Sequence, residues 1–268
     1  MSLNRVGSSL VELVVATALT GLLAALTGAM LSRAAIGSRD RSDRAAREVA
    51  LSVATQAARA TLGSLGEPNA DLLSFGAAGF VMRATRGSGV LCDWTGSRLK
   101  VRAGPSWWTA IRSPVGGRDS LLIGRLDQPA WMVAPLVADP GSGLCPDATP
   151  AITLEAASLD SLPSGSLGPG SPVRFFEPIE VRIYGSGGAD WIGVRQVATG
   201  ETIQPLAGPL IRASSGFEFS NAAGGPALTP GDVAAVVFRV VAAPARGRAS
   251  WGVLDSVAGF VALKTARP

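Results

Sequence analysis

An uncharged apolar run near the N-terminus is the feature that most constrains this chain. From Leu13 to Leu31, 19 consecutive residues carry no charge. As a helix rising ~1.5 Å per residue, the run crosses most of a ~30 Å hydrocarbon core. Glu12 stands at its start, and an ionised carboxylate at membrane depth is costly. Glu12 therefore either lies at the headgroup boundary or has a positively charged partner.

The residues that follow the run continue as an amphipathic helix. Small and apolar residues recur at spacings of three and four, and charged residues fall largely on another face. Glycines at 63 and 66 and a proline at 68 supply a stop signal. We therefore predict one helix from Leu10 to about Leu65. A secretory signal peptide is the less favoured alternative, because only Arg5 precedes the run and no small-residue cleavage site and loop follow it.

Beyond residue 66, short strand-like runs alternate with turns rich in glycine and proline. The clearest alternation of apolar and charged residues is Ile179–Tyr184. Segments such as DPGSG, LPSGSLGPGSP and GSGG read as turns or loops. The pattern predicts an α+β fold, in which a mainly antiparallel sheet packs on the amphipathic half of the helix. Further strands are predicted at 79–84, 98–103, 119–126, 130–137, 151–156, 190–197, 216–219, 232–243 and 257–264.

Composition excludes several functional classes. The chain has no histidine, which removes Ser-His-Asp and Cys-His catalysis. Its net charge is only +4, and the arginines after Leu31 are interleaved with acids, so no nucleic-acid contact is predicted. The two cysteines, Cys92 and Cys145, are either a disulfide formed in an oxidising compartment or two free thiols.

The remaining motifs carry no catalytic chemistry. GSGG (185–188) lacks the Lys-Ser/Thr of a phosphate loop and predicts a hairpin turn. Asp139 and Asp147 flank a loop but lack the spacing of a calcium site, so no metal or cofactor is predicted. Glu177 and Glu180 are expected to be surface charges. Three tryptophans are expected to pack in the core or at an interface: Trp94, Trp107 and Trp108.

The N-terminus resembles that of type IV pilins and of the pseudopilins of type II secretion. In that superfamily a short basic leader ends in glycine, and the fifth residue of the mature chain is a glutamate within an apolar run. Here the leader is MSLNRVG, and the mature chain begins Ser8-Ser9-Leu10-Val11-Glu12. Gly21 falls at the fourteenth mature position, where many pilins have a glycine that loosens the helix. Ser8 is a departure, because the first mature residue is usually apolar.

The resemblance implies a pathway and a set of partners. Prepilin peptidase cuts between Gly7 and Ser8, and the new N-terminus of Ser8 is methylated. Glu12 then pairs with the amine of a neighbouring subunit during filament assembly. The implied regions are a leader (1–7), a transmembrane and filament-core helix (8–31), its amphipathic continuation (32–66) and a periplasmic β-rich domain (67–268).

The order of the later segments is similar to that of PilW-type minor pilins and J-type pseudopilins. A strand ending at Tyr184 leads through a glycine-rich turn to WIGVRQV, IQPLAGPL, GFEF and an apolar strand from Asp232. The resemblance implies a non-enzymatic subunit that is held in the inner membrane. It is then incorporated into a type IV pilus or a secretion pseudopilus, or primes the assembly of one at its tip, together with other minor and major pilins. The alternative is an uncleaved, membrane-anchored periplasmic binding domain or enzyme.

Overall fold

A computed structural model of the chain describes residues 10–63, 65, 71–128, 130–159, 162–163, 165–243 and 256–262. The proposed leader, including Gly7 and the Ser8 that follows it, lies outside these residues. The described chain has one long N-terminal helix followed by mostly antiparallel β-structure, so the predicted α+β class is confirmed. The chain divides into two compact units, and the boundary lies within the helix: the first unit ends at Val49 and the second begins at Ala50.

Helix α1 spans Leu10–Gly63, as the apolar run and its amphipathic continuation predict. The helix continues through Gly21, Gly28 and Gly37 despite a propensity cost of ~1 kcal/mol each relative to alanine. Its C-terminal part belongs to the second unit and buries one stripe of side chains at helical spacing: Leu51, Ala54, Ala58 and Leu62. Complete burial of a leucine contributes ~1.5–3 kcal/mol, so this stripe is a substantial anchor for the β-structure.

Fourteen strands follow within the described residues, all paired antiparallel. The structure confirms every predicted strand, although several boundaries differ. The strands are β1 (Leu72–Gly76), β2 (Gly79–Thr95), β3 (Arg98–Arg102), β4 (Trp108–Ala110), β5 (Ser120–Gly124), β6 (Trp131–Pro135), β7 (Gly141–Leu144), β8 (Pro150–Glu155), β9 (Pro172–Ser186), β10 (Ala189–Gln196), β11 (Gln204–Leu210), β12 (Gly216–Ser220), β13 (Ala235–Val241) and β14 (Ser256–Ala262).

Four strands were not predicted: β1, β4, β7 and β11. Strand β7 includes the glycines of DPGSG, which we predicted to be a turn; pairing with β8 holds this segment extended. The strand predicted from Asp232 begins later, at Ala235. Pro230–Asp232 instead forms a 3₁₀ turn, in which the side chains of Thr229 and Asp232 form a capping box.

The larger sheet contains eleven of the described strands and runs β11-β10-β9-β2-β3-β8-β7 along its main path. The long strands β2 and β9 pair along most of their lengths and connect its two halves. One apolar cluster packs against the parts of β2 and β9 that are nearer the β9–β10 hairpin. This cluster also includes the α1 stripe and side chains of the smaller sheet, whose strand order is β12-β13-β14. A second cluster lies at the other end, beneath β3, β5, β6 and β8.

Candidate functional site

The N-terminal half of α1 is exposed on every side in the structure. Between Leu10 and Leu31 its large apolar side chains are 51–79% exposed. The helix is long and apolar enough to cross a membrane, with a mean hydropathy of 2.0 in its most apolar window. Soluble monomers rarely expose a contiguous apolar surface of this extent. This half of the helix is therefore a candidate membrane-spanning segment.

Hydroxyl groups in the apolar half form hydrogen bonds within the helix. The hydroxyls of Thr17, Thr20 and Thr27 each donate to a carbonyl one turn earlier, at distances of 2.7–3.0 Å. This satisfies them without water, as a hydrocarbon environment demands. The carboxylate of Glu12 lies on the exposed surface of the first helical turn, next to exposed Val11 and Leu13. Glu12 is thus the charged group that the apolar surface presents to its surroundings.

Gly21 has open space around it. A Cβ at this position would meet no atom within 4 Å in the isolated chain. Packing within the chain therefore does not require glycine here. A requirement for glycine would come from a neighbouring helix or from local loosening of the backbone, as the resemblance implies.

Cys92 of β2 and Cys145, which follows β7, form a disulfide. Both are 4% exposed and pack with Ala151 of β8. The bond ties one of the two long strands to the β7–β8 edge of the larger sheet. Spacing alone had left free thiols as an alternative. Disulfides of this kind persist in oxidising compartments, such as the bacterial periplasm.

A buried ionic cluster lies between the two apolar clusters of the larger sheet, and it overturns the surface assignment of Glu177. On β9, Phe175 belongs to one cluster and Ile179 to the other, and Glu177 lies between them on the same face. Its side chain is 6% exposed. In the folded strand Glu177 lies on the same buried face as Phe175 and Ile179, so the acid needs cationic partners.

Three arginines surround Glu177. Arg86 donates to its Oε1, with Nε at 2.6 Å. Arg112 and Arg118 donate to Oε2, each with Nη2 at 3.0 Å. Arg112 also forms a bidentate pair, at 2.6 Å for both bonds, with Asp119, whose side chain is fully buried. The five groups carry a formal charge of +1 together, so the cluster is nearly neutral.

A break in strand register places Arg86 in the cluster. Thr85 pairs with Phe176 and Gly87 pairs with Phe175, so Arg86 is an extra residue in β2. Such a bulge changes the direction of its side chain. Gly87 is needed beside it, because a Cβ there would lie 2.1 Å from the ring of Phe175. The sequence signal that was available is the short spacing of Arg112, Arg118 and Asp119, but their convergence on Glu177 is set by the fold.

The cluster makes stability depend on pH. Burial raises the pKa of Glu177, but the hydrogen bonds and charges of Arg86, Arg118 and Arg112 outweigh burial and leave the pKa below its usual range. A carboxyl with a lowered folded-state pKa stabilises the fold above its unfolded pKa of ~4.3 and loses that contribution as pH falls. We therefore expect the denaturant concentration at the unfolding midpoint of the full chain in detergent to decrease as the pH is lowered from about 5 to about 3, a range that brackets the unfolded-state pKa. The decrease should be smaller in Glu177→Gln, and an equal decrease would contradict the assignment.

The other sequence candidates have structural roles. Asp147 accepts hydrogen bonds from Thr149 and pairs with Arg102, which lowers its pKa to about 2. Asp139 accepts from the backbone N–H of Gly116. Among the described residues, no group of three or more histidine, cysteine or acidic side chains could hold a metal.

The structure confirms the predicted GSGG hairpin in full and the predicted packing of the tryptophans in part. Gly187 and Gly188 both have positive φ and connect β9 to β10, so the GSGG hairpin is confirmed. Trp108 stacks on Phe175 at 5.4 Å, and Trp94 packs against the same apolar cluster. Trp107 is 50% exposed, with Arg102 over its ring. Two of the three tryptophans thus pack against the apolar core, as expected.

Comparison of the chain with protein-family models, with curated proteins and with solved structures found no match.

Proposed function

We propose that the chain is a minor pilin or pseudopilin, processed by prepilin peptidase and incorporated into a type IV pilus or a type II secretion pseudopilus. The main observation in support of this proposal is the exposed, uncharged helical surface that begins directly after Glu12. Glu12 also lies at the fifth position after the Gly7–Ser8 junction. An anchor alone explains the apolar surface but gives no reason for this spacing.

Glu12 is assigned the role of fixing the register of the incoming subunit. Among packed apolar helices its carboxylate needs a cation, and the methylated amine of Ser8 on a neighbouring subunit supplies one. Other pilin subunits replace lipid around the rest of the apolar surface. Gly21 gives this part of the helix a site at which it can loosen.

The second unit is assigned to the periplasm and to contacts with other minor subunits. The Cys92–Cys145 disulfide supports an oxidising compartment. The buried stripe of α1 supports a β-domain carried by the helix. We assign the subunit no enzymatic activity and no cofactor.

Glu12→Ala tests the proposal. We expect the variant to be inserted and cleaved as in wild type, because the apolar surface and Gly7 are intact. Its amount in the sheared filament or pseudopilus fraction should fall by more than about tenfold, since losing one partner of a buried ion pair costs ~3–5 kcal/mol. Immunoblots of the membrane and filament fractions measure both quantities.

Two variants serve as controls for this experiment. Glu48→Ala removes an exposed carboxylate elsewhere on the same helix and should leave incorporation unchanged. Gly7→Val should stop cleavage and leave the full-length chain in the membrane. Normal incorporation of Glu12→Ala would refute the register role, and a mature-sized product from Gly7→Val would refute the leader.

A further inference from the structure

Strand β14 is an edge strand of the smaller sheet as far as the described residues extend. It pairs with β13 from Ser256 to Ala262. Over the residues that the structure describes, no strand pairs with its other edge. Within the described part of the chain, the backbone N–H and C=O groups along this edge thus have no strand partner, and such an edge is a template for another strand.

The other edges of the two sheets are protected in ways that β14 is not. Proteins blunt edge strands with prolines, charges, bulges or short length. Strand β14 has seven residues, no charge, no proline and no register shift. By contrast, three other edge strands contain a proline or a charge: β11 has Pro205 and Pro209, β6 ends in Pro135, and β12 has Glu218. Strand β1 has a bulge after Leu72, and β4 and β7 are only three and four residues long.

The two faces of β14 have different surroundings. Val257 and Val261 pack against the apolar cluster that contains the α1 stripe. Gly259 lies on the same face, where a Cβ would come within 2.1 Å of the ring of Phe238. On the outer face Ala258 is exposed, and Phe260 is 63% exposed. An uncharged edge strand with an exposed phenylalanine is the kind of edge that pairs with another strand.

We propose that β14 pairs with β14 of a second copy of this chain, antiparallel and centred on Gly259. In this register Phe260 of each copy lies opposite Ala258 of the other, so a large side chain meets a small one. Val257 lies opposite Val261 on the inner face, and Gly259 lies opposite itself. The arrangement is the isologous contact of a two-fold dimer, and it extends the smaller sheet from three strands to six.

The sequence of the strand favours a second copy over an unrelated strand. Self-pairing about Gly259 brings no two charges together, because the strand has none. On the outer face the one large side chain of each copy, Phe260, lies opposite a small one, and the remaining outer pair joins two small residues, Ser256 and Ala262. A contact between two seven-residue strands is small, so the dimer should be weak and concentration-dependent.

A cysteine-pairing experiment tests the register in the full chain purified in detergent. Differently tagged Ala258→Cys and Phe260→Cys copies are mixed and oxidised. Directly opposite residues have Cβ atoms ~4.5–5.5 Å apart and diagonal ones ~7–8 Å. We expect the mixed disulfide dimer to exceed, by at least about fivefold, the dimer that either variant forms alone.

Glu218→Cys on β12, the opposite edge of the same sheet, is the matched control for random collision. A mixed yield no higher than the control yield would overturn the proposal. Equal yields from the mixed sample and from each variant alone would overturn the register and with it the proposal.

Sedimentation of the full chain over a range of concentrations gives an independent test. Wild type should show reversible dimerisation, and Phe260→Lys should abolish it while retaining the Cys92–Cys145 disulfide and a native circular dichroism spectrum. Because Phe260 is largely exposed, lysine should be tolerated in the fold. A wild type that stays monomeric at all concentrations, or a Phe260→Lys variant that dimerises equally, would overturn the proposal.

Discussion

Replacing Glu177 with alanine is expected to lower the free energy of unfolding by about 1.5–3 kcal/mol, because the substitution leaves Arg86 and Arg118, whose side chains are 29% and 37% exposed, without a carboxylate partner. Arg86 and Arg118 both direct Nε and Nη2 at this one carboxylate. Arg112 retains Asp119, so two of the three guanidinium groups lose their carboxylate partner. Denaturant titration of the full chain in detergent, followed by tryptophan fluorescence, measures the change.

Glu155→Ala is the matched control for this substitution. Glu155 lies on β8 and faces Arg98 at 4.0 Å, with side chains that are 41% and 69% exposed. Exposed pairs of this kind contribute ~0–1 kcal/mol. If Glu177→Ala destabilises the chain no more than Glu155→Ala does, the ionic cluster around Glu177 does not contribute to stability as assigned here.

Removing the disulfide is the second large effect. The double variant Cys92→Ser, Cys145→Ser should lose about 4 kcal/mol of stability, because the bond constrains a long loop in the unfolded chain. The sequence separation of the two cysteines is 53 residues. The measurement compares guanidinium midpoints of the oxidised wild type, the reduced wild type and the double variant.

Two further observations bear on the disulfide. Reduced wild type should unfold near the midpoint of the double variant, because both lack the same constraint. A free-thiol assay on the denatured, unreduced protein should detect no reactive thiol. Two reactive thiols per chain, or equal midpoints for oxidised and reduced wild type, would contradict this assignment.

Local patterns predicted much of the fold. The uncharged run and the three- and four-residue spacing after it predicted α1 to within two residues of its C-terminal end. Alternation predicted the strand Ile179–Tyr184 within β9, because one face of it is buried, and the glycines of GSGG predicted the hairpin that follows. Strand β7 could not be predicted in this way, since its glycines carry no alternation and pairing with β8 holds it extended.

The ionic cluster could not be predicted from the sequence for a different reason. Its members come from three separated parts of the chain, and a one-residue bulge aims Arg86 at Glu177. Before Glu177 the alternation is hidden by Phe176, which packs on the opposite face of β9 with Leu122. The candidate assembly site could be predicted from the sequence, because Glu12 and the apolar residues after it are contiguous in the chain.

The most direct test of the proposed function is the intact mass of the protein purified from membranes of its native host. We predict a chain that begins at Ser8, lacks the first seven residues and carries one added methyl group on its N-terminus. That mass would place the protein in the prepilin pathway and make Glu12 an assembly residue. A chain that retains Met1–Gly7 would contradict the proposal and leave α1 as a membrane anchor only.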